Sequence, residues 1–315
     1  MKKTNKKTVI AIVGPTASGK TSLAVELAKK LNTEIISADS RQIYKEFDIA
    51  TAKPSKEEMQ GIKHHLMDIV EPAEEFSVAD FAHRAKNIME NLFATGKIPV
   101  VAGGTGLYFR ILLENYDMPK VPPNRELREE LHNIEKEQGV DALYKMLCEH
   151  DPVLAQNMHP NNSVKIVRAL EVCQTLGMPM SQAQKKKEPE YDVRWFGLGH
   201  LNGEERQFLY DRTDNRVDLM IRQGLENEAK KLYEKYGKIQ SLEKTIGYQE
   251  FIDYFENHIT YDECVEKIKQ NTRRYAKRQL TWFRKNQDII WLDIQKYDKN
   301  ACVDTCLTYL KDILQ

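Results

Sequence analysis

The segment that best indicates the fold is Gly14-Pro15-Thr16-Ala17-Ser18-Gly19-Lys20-Thr21. It follows an apolar run, Val9 to Val13, and precedes a helix-forming segment that begins near Lys20. A glycine-rich turn of this spacing between a strand and a helix is typical of a phosphate-binding loop, whose backbone N–H groups point at an anion. Lys20 adds a full positive charge, and the Thr21 hydroxyl lies where Mg²⁺ would bind. The segment therefore predicts a bound diphosphate or triphosphate.

The composition describes a globular chain without an overall preference for nucleic acid. Its 315 residues suffice for about two domains, and 47 basic residues balance 47 acidic ones. The five cysteines are odd in number and have no C-x-x-C spacing, which argues against a disulfide framework and a zinc site. The apolar run near the N-terminus is too short for a signal peptide or a membrane span. We therefore expect a cytoplasmic protein with no membrane partner.

Strand and helix signals alternate in the first third of the chain. Strands are expected at Val9 to Val13, Glu34 to Ala38 and Pro99 to Ala102, and helices at Thr21 to Leu31 and Val78 to Ala94. This alternation predicts an α/β fold with a parallel sheet covered by helices. Ligands of such sheets bind at the carboxyl ends of the strands, so the residues directly after each strand are candidate site residues.

Two polar segments follow the second and third strands. Asp39-Ser40-Arg41-Gln42 comes after one, and Gly103 to Tyr108 after the other. Asp39 could hold Mg²⁺ through water or take a proton from a nucleophile, but it could equally cap a turn. Thr105 could hydrogen-bond a bridging oxygen, and the glycines around it permit close approach of a ligand. Position alone leaves the role of Asp39 open.

The middle of the chain predicts a helical insertion. Helices are expected at Asn124 to Gln138, Val140 to His150 and Ser163 to Leu176, with no strand signal between them. A strand at Trp195 to Leu198 then returns to the sheet. From the residues alone, the insertion would be a lid or a dimerisation arm.

The next segment, Glu204 to Tyr236, is expected to be helical throughout. Arg212 and Arg216 are four residues apart and share a face, so two guanidinium groups could clamp a diphosphate. The alternative is a solvated face on which the arginines pair with neighbouring aspartates, namely Asp211, Asp214 and Asp218. The residues leave this choice open.

A strongly basic segment extends from Lys267 to Lys285 and contains no acidic residue. Its eight basic residues are Lys267, Lys269, Arg273, Arg274, Lys277, Arg278, Arg284 and Lys285. One side of a helix here would carry Lys269, Arg273, Lys277 and Arg284. A buried seam on another side would consist of Ile268, Tyr275 and Trp282. The basic side fits a nucleic-acid backbone, although a solvated charge run has the same pattern.

The end of the chain points to structure rather than to metal binding. Ile289 to Leu292 predicts a last strand, and Cys302 to Leu314 a closing helix. Cys302 and Cys306 share a helical face but lack a histidine or carboxylate partner, and His64-His65 lacks the H-E-x-x-H pattern of a zinc helix. We expect no transition metal.

Several motifs together resemble the tRNA dimethylallyltransferases, also called tRNA isopentenylpyrophosphate transferases. They occur in the family's order and cover nearly the whole chain: Gly14 to Thr21, Asp39 to Tyr44, Asp48 to Pro54, His64 to Leu66, Gly103 to Tyr108, Arg168 to Val172, Ile246 to Tyr248 and Thr272 to Gln279. The resemblance implies a P-loop NTPase-like core in two parts, 1–119 and 193–315, the second with basic C-terminal helices. An all-helical insertion domain at 120–192 would grip the anticodon arm of tRNA.

The resemblance also implies a reaction and its residues. A dimethylallyl group would pass from dimethylallyl diphosphate to the exocyclic N6 of the adenosine adjacent 3′ to the anticodon in tRNA. Catalytic residues would be Asp39, Thr105 and Lys20. The diphosphate would be bound by Gly14, Thr16, Ala17, Ser18, Gly19, Lys20, Thr21, Arg212 and Arg216, with Mg²⁺ at Thr21. The tRNA would be bound by Asp39, Ser40, Arg41, Gln42, Lys165, Arg168, Gly247, Tyr248, Arg274, Lys277 and Arg278.

Three alternatives to this function are open. A small-molecule kinase would use the phosphate loop, Mg²⁺ and Asp39 equally well. A prenyltransferase acting on free adenine nucleotides would need neither the insertion nor the basic segment, and a non-catalytic RNA-binding module would have no use for a complete phosphate loop. In the family a Gln-Arg pair usually occupies the positions of Val164 and Lys165, so the chain departs from the pattern there. We expect a monomer without an obligate protein partner, because one chain carries all the predicted parts.

Overall fold

The structure, a computed structural model, describes residues 6–117, 119, 121–186, 188–199 and 206–313. The strands are β1 Thr8–Val13, β2 Ile35–Ala38, β3 His64–His65, β4 Val100–Gly103, β5 Tyr116–Asp117, β6 Lys185–Lys186, β7 Asp192–Gly199 and β8 Ile290–Asp293. The helices are α1 Lys20–Lys30, α2 Lys56–Met59, α3 Val78–Ala94, α4 Gly106–Leu112, α5 Arg125–Gln138, α6 Val140–His150, α7 Pro152–Gln156, α8 Ser163–Leu176, α9 Met180–Ala183, α10 Arg206–Arg222, α11 Leu225–Tyr236, α12 Gln240–Glu243, α13 Tyr248–Phe255, α14 Tyr261–Phe283 and α15 Lys299–Tyr309.

The chain divides into two compact units. The core unit contains the described residues up to Leu113 and those from Glu190 onward, and the insertion unit is Glu114–Pro189. The sequence suggested 120–192 for the insertion. Among the described residues, no helix combines the length and the apolar character that crossing a bilayer requires.

The core unit is built on one six-stranded sheet with the order β3-β2-β4-β1-β7-β8. Every neighbouring pair in it is parallel, and the central strand β1 pairs with β4 on one side and with β7 on the other. The predicted α/β fold with a parallel sheet is therefore confirmed. Since all six strands run the same way, the segments after β1, β2 and β4 emerge at the same edge of the sheet.

Strand β1 is buried on both of its faces, which explains why its sequence is continuously apolar. Its alternating side chains enter two different cores. Val9, Ala11 and Val13 pack with residues of α3 and α4. Ile10 and Ile12 pack with residues of α1 and α15 on the opposite face. Each fully buried aliphatic side chain of this size stabilises the fold by about 1.5–3 kcal/mol, so this strand anchors the sheet.

Two differences from the expected elements have simple physical causes. The expected helix over 204–236 is broken into α10 and α11, because Gly224 adopts a left-handed backbone conformation with φ 97°. Residue 204 lies outside the described residues. The edge strand β3, His64–His65, was not predicted, since two residues are too few to show an alternating pattern.

The insertion unit contains the three expected helices, α5, α6 and α8, with a core of their leucine and isoleucine side chains. Those buried side chains include Leu127, Leu131, Leu143, Leu147, Ile166 and Leu170. In addition to its helices, the unit has a short antiparallel ribbon in which Tyr116 pairs with Lys186. The ribbon is absent from the sequence prediction because both of its strands are two residues long.

A fully buried carboxylate, Glu171 of α8, organises the insertion unit. It accepts hydrogen bonds from Arg128 Nε and Nη2, both at 2.9 Å, from the Asn124 amide at 2.7 Å, and from Arg168. Burial alone would raise the pKa of Glu171, but these hydrogen bonds outweigh burial and hold the pKa below its usual range. Arg168 also donates to the Val121 carbonyl oxygen at 2.9 Å. The predicted RNA ligand Arg168 is therefore engaged inside its own unit.

Replacing Arg168 with alanine is expected to destabilise the protein. The change removes two charge-assisted contacts and leaves Glu171 with less compensation, so we expect the free energy of unfolding to fall by about 2–3 kcal/mol. Urea denaturation measures this loss. Lys165→Ala is the matched control on the same helix, because Lys165 is exposed and its removal should change the unfolding free energy by less than about 0.5 kcal/mol. Equal stability of the two variants would contradict the structural role of Arg168.

Candidate active site

The phosphate-binding loop lies between β1 and α1 and is tightly curled. Gly14 has φ 149°, and a Cβ at this position would lie 2.3 Å from the Leu198 carbonyl oxygen of β7. Ala17 and Gly19 adopt left-handed conformations with φ 63° and φ 93°. The Ser18 hydroxyl is buried and has no hydrogen-bond partner within the described part of the chain. A buried hydroxyl without a hydrogen-bond partner in the protein is suited to bind a polar group of a ligand.

Lys20 lies at the start of α1, where it is half-buried and donates to the Pro15 carbonyl oxygen at 2.6 Å. Burial and the nearby charge of Arg216 lower the pKa of Lys20 to about 7, while the charge of Asp39 acts in the opposite direction. Its ammonium form is thus destabilised unless negative charge enters the site.

Two arginines of α10 join Lys20 at the loop. Arg212 donates from Nε to the Ala17 carbonyl oxygen at 2.8 Å, and its guanidinium lies 5.6 Å from the centre of the Phe208 ring. Arg216 is half-buried, and its Nε has no hydrogen-bond partner among the described residues. Burial lowers the pKa of Arg216, with the charge of Asp39 opposing this effect. Three basic side chains, Lys20, Arg212 and Arg216, therefore lie at the loop.

The aspartates of α10 do not neutralise these arginines. Asp214 pairs with Arg273 of α14 at 2.6 Å, and Asp218 pairs with Lys269 of α14 at 2.7 Å. The remaining aspartate, Asp211, accepts from Gln207 at 2.7 Å. The aspartates of α10 thus have partners other than Arg212 and Arg216, and the diphosphate clamp stays a prediction.

Asp39 follows β2 and caps the turn after it. Its Oδ1 accepts from the amides of Arg41 at 2.8 Å and Gln42 at 3.3 Å. The turn-capping role that the sequence left open is therefore present. The same carboxylate also lies close enough to Lys20 and Arg216 for its charge to act on both. Asp39 consequently faces the phosphate loop while its backbone contacts fix its orientation.

Thr105, after β4, is held against the Asp39 turn. Its Oγ1 accepts from the Ser40 amide at 3.0 Å, and its own amide donates to the Ala38 carbonyl oxygen at 3.2 Å. The side chain of Tyr275 from α14 lies close enough to the Thr105 hydroxyl to interact with it. Burial, and then the charge of Asp39, raise the pKa of Tyr275 well above its ordinary value. Tyr275 is therefore a neutral hydroxyl at the site.

Tyr275 was expected in a buried seam with Ile268 and Trp282, and this prediction is wrong for two of the three residues. Tyr275 and Trp282 are only half-buried. The buried side of α14 consists of Cys264, Ile268, Thr272, Ala276, Gln279 and Phe283. A seven-residue aromatic spacing could not reveal this side, because two of its members are polar.

The basic side of α14 is also divided. Lys269 and Arg273 are paired with α10, as described above, and Arg284 lies beyond the last residue of the helix. By contrast, the side chains of Arg274, Lys277 and Arg278 are exposed. The Arg278 guanidinium lies 5.7 Å from the centre of the Tyr275 ring. The exposed group contains all three α14 residues that were predicted to bind tRNA.

Other predicted RNA ligands of the core unit are engaged with the protein. Tyr248 is fully buried, and its hydroxyl donates to Glu228 at 2.7 Å. Gly247 donates its amide to Glu250 at 2.7 Å. Gln42 donates from Nε2 to the Thr51 and Ala52 carbonyl oxygens, at 3.2 and 3.3 Å. These contacts give the residues a role in holding loops, and their contact with RNA stays a prediction.

Ser40, Arg41 and Gln42 are half-buried, whereas Lys165 is exposed on the insertion unit. Thr16 was predicted to bind diphosphate, and its amide donates to the Gln279 side chain at 2.8 Å; its contact with diphosphate stays a prediction.

Comparison with known proteins assigns the chain to a family. A family model described as IPP transferase matches residues 42–286. The tRNA dimethylallyltransferase of Caldanaerobacter subterraneus subsp. tengcongensis is 46% identical over 297 residues, which are 92% of each chain. That of Bacillus cytotoxicus is 42% identical, covering 100% of this chain and 98% of the relative. The chain belongs to the IPP transferase family.

Solved structures agree with this family assignment. The tRNA isopentenylpyrophosphate transferase of Bacillus halodurans matches with a TM-score of 0.72 and 39% identity, over 98% of this chain and 96% of that chain. A eukaryotic dimethylallyltransferase acting on tRNA matches with a TM-score of 0.79 and 32% identity, over 98% of this chain and 79% of that chain. The family's fold therefore extends through nearly the whole chain.

The loop suits a Mg²⁺ ion that arrives with a diphosphate. The described residues contain no cluster of three or more histidine, cysteine, aspartate or glutamate side chains able to hold a metal. The Thr21 hydroxyl is exposed on the first turn of α1, beside the cations of the loop. Mg²⁺ commonly keeps several waters and takes its other ligands from one or two protein oxygens and from phosphates. The Thr21 hydroxyl fits the role of a protein ligand of this ion.

Diphosphate binding is expected to be accompanied by proton uptake at Lys20. With a pKa of about 7 the free side chain is mostly neutral at pH 8, and an adjacent anion favours the ammonium form. Calorimetric titration with inorganic diphosphate, in buffers of different ionisation enthalpy, counts the protons. Lys20→Arg is the control, since arginine stays charged and takes up no proton. We expect wild type to take up about one proton more than the control at pH 8 and none more at pH 5.5. Identical counts at both pH values would show that Lys20 is charged before binding.

Proposed function

We propose that the protein transfers a dimethylallyl group from dimethylallyl diphosphate to N6 of the adenosine adjacent 3′ to the anticodon in tRNA, releasing diphosphate. One observation carries this proposal: a carboxylate, Asp39, faces the cations of a phosphate-binding loop at the same edge of the sheet. The loop suits the leaving group, and the carboxylate suits the proton of the nucleophile. The names of the relatives support the choice of prenyl donor and of tRNA as acceptor.

The leaving group determines most of the catalytic requirement. The bond between the allylic carbon and the diphosphate oxygen breaks with development of positive charge on carbon and negative charge on oxygen. Lys20, Arg212 and Arg216 would stabilise that oxygen electrostatically, and Ser18 would donate its unpaired hydroxyl. When bound beside Thr21, Mg²⁺ would neutralise further charge on the phosphates. Preorganised cations of this kind need no reorganisation during the reaction.

The nucleophile requires a proton acceptor. The N6 lone pair forms the new C–N bond, and the N6 proton passes to Asp39. Because Oδ1 of Asp39 is engaged by the amides of Arg41 and Gln42, Oδ2 is the oxygen for this proton. The two hydrogen bonds from backbone amides hold the carboxylate in a single orientation, which lowers the entropic cost of reaching the reactive geometry.

Thr105 would orient the reacting groups. Its Oγ1 already accepts from the Ser40 amide, so the Thr105 proton would be donated to the neighbouring Tyr275 hydroxyl in the free enzyme and to the bridging oxygen of the diphosphate when substrate is bound. Tyr275 is thus a positioning residue that acts through Thr105. Tyr275 was not among the site residues predicted from the sequence.

An adenosine must leave its base stack to reach Asp39, so we propose base flipping. The flipped base would lie beside Ser40 and Arg41, which are only half-buried. The exposed side chains of Arg274, Lys277 and Arg278 would bind the RNA backbone. We propose a cytoplasmic monomer as well: all five cysteines are free thiols, which suits a reducing compartment.

The test is a transfer assay with labelled dimethylallyl diphosphate and Mg²⁺. Unmodified tRNA, AMP and ATP are offered as acceptors in parallel. Label on tRNA alone would support the proposal. Label on a free nucleotide would instead indicate a prenyltransferase that acts on free adenine nucleotides. ATP consumption without transfer of label would indicate a kinase.

Replacing Asp39 with alanine is expected to lower kcat by roughly 10²–10⁴-fold, since it removes the proton acceptor. Affinity for inorganic diphosphate should be retained or rise, because a negative charge near Lys20 and Arg216 is lost. Single-turnover transfer and calorimetry measure the two effects. Asp304→Ala, an exposed aspartate of α15, is the control and should behave as wild type. A kcat that survives in the Asp39 variant would remove Asp39 from the mechanism.

Replacing Tyr275 with phenylalanine removes only the hydroxyl that contacts Thr105. We expect kcat to fall about tenfold, with the KM for dimethylallyl diphosphate unchanged to within about threefold, because orientation rather than binding is lost. Steady-state kinetics at saturating tRNA separate the two parameters. Tyr297→Phe changes an exposed hydroxyl and should have no effect. A rise in KM with unchanged kcat would place Tyr275 in ground-state binding instead.

A further inference from the structure

Gln279 is a polar side chain of α14 that is only 5% exposed, yet both ends of its amide are satisfied. Its Oε1 accepts from the Thr16 amide at 2.8 Å, and its Nε2 donates to the Gly104 carbonyl oxygen at 3.0 Å. An amide N–H can only donate and a carbonyl oxygen can only accept, so these two partners fix which end of the side chain is oxygen. The bridge therefore has a defined direction.

The two partners belong to different parts of the candidate site. Thr16 lies in the phosphate-binding loop, and Gly104 directly precedes Thr105. The space for the bridge depends on glycine: a Cβ at Gly104 would lie 2.1 Å from the Nε2 atom of Gln279. The Gln279 amide can therefore approach the backbone at position 104 only because that residue is glycine.

We propose that Gln279 is a positioning residue that fixes the phosphate-binding loop relative to Thr105. The phosphate-binding loop binds the leaving group, and the turn at Thr105 orients that group. The Gln279 side chain, which is anchored in helix α14, keeps this loop and this turn at a constant separation. Each part has other supports, since the loop is curled by its own backbone and Thr105 is bonded to Ser40 and Ala38. Loss of Gln279 therefore leaves both parts formed but no longer aligned with each other. This inference rests on the proposed function.

Misalignment and weak binding have different kinetic signatures. A shift of about 1 Å between reacting groups can lower the rate by about 10²-fold, whereas an intact loop keeps its affinity for diphosphate. We therefore expect Gln279→Ala to lower kcat for transfer to tRNA by roughly 10- to 100-fold. The Kd for inorganic diphosphate should stay within about threefold of wild type. A residue needed only for folding would not separate these two quantities.

The experiment compares the full-length wild type with Gln279→Ala, Gln279→Glu and Gln270→Ala. Gln279→Glu keeps the acceptor for Thr16 but sets an oxygen against the Gly104 carbonyl, so its kcat should also fall. Gln270 is an exposed glutamine of the same helix, and Gln270→Ala should keep wild-type kinetics. Gln279→Met, which has a similar volume and neither hydrogen bond, replaces Gln279→Ala if that variant does not fold.

A second pair of variants tests the bridge from its other end. Gly104→Ala should push the Gln279 amide out of its hydrogen bonds and reproduce the loss of kcat. The double variant Gly104→Ala with Gln279→Ala should then be no slower than the slower single variant to within about threefold, because both changes break the same bridge. Multiplied losses in the double variant would overturn the proposal.

Other outcomes also decide the matter. If wild type is active and the Gln279 variants keep its kcat, the positioning role is refuted while the proposed function stands. A loss of diphosphate affinity equal to the loss of kcat would likewise refute positioning, because Gln279 would then act in binding. A wild type that transfers no label to tRNA would overturn the proposed function and this inference with it.

Discussion

The interaction on which the site depends is the crowding of Lys20, Arg212 and Arg216 around one curled loop. Burial disfavours the charged forms of Lys20 and Arg216, and their mutual repulsion adds to the cost. The nearby acidic residues Asp214 and Asp218 offer no relief, since they are paired with α14. The charge of Asp39 offsets part of this cost, and an anion bound at the loop would stabilise the charged forms of these side chains further.

The rest of the core unit serves to hold that crowded loop opposite Asp39, the proposed proton acceptor. The parallel sheet brings the ends of β1, β2 and β4 to one edge, and its central strand β1 is buried on both faces, which makes the edge rigid. Helix α14 then supplies inward-facing polar groups, Tyr275 to Thr105 and Gln279 to the loop. Side chains on loops keep a well-defined position when strands and helices support them.

Local patterns predicted the parts of the fold that local physics determines. The helices α3, α6 and α8 have the expected bounds because apolar periodicity and caps such as Ser77 with Asp80 mark them in the sequence. The break at Gly224 was missed, since glycine within a helical pattern is often tolerated. The inward side of α14 was missed for another reason. Gln279 is buried against hydrogen-bond partners that are 263 and 175 residues away in the sequence. No local window contains that information.

The basic segment shows how one charge run can serve two purposes. Lys269 and Arg273 form salt bridges with α10, so aspartates within the protein neutralise their charges. The side chains of Arg274, Lys277 and Arg278 are exposed to solvent. Because the chain is neutral overall, long-range attraction for RNA is weak, and binding must depend on such local groups. Arg278 joins the two sides of the helix, for it is exposed and also stacks on the ring of Tyr275. Engagement of Arg278 by an RNA phosphate, as proposed, would therefore reach Tyr275 beside Thr105 and would link acceptor binding to the alignment of the leaving group.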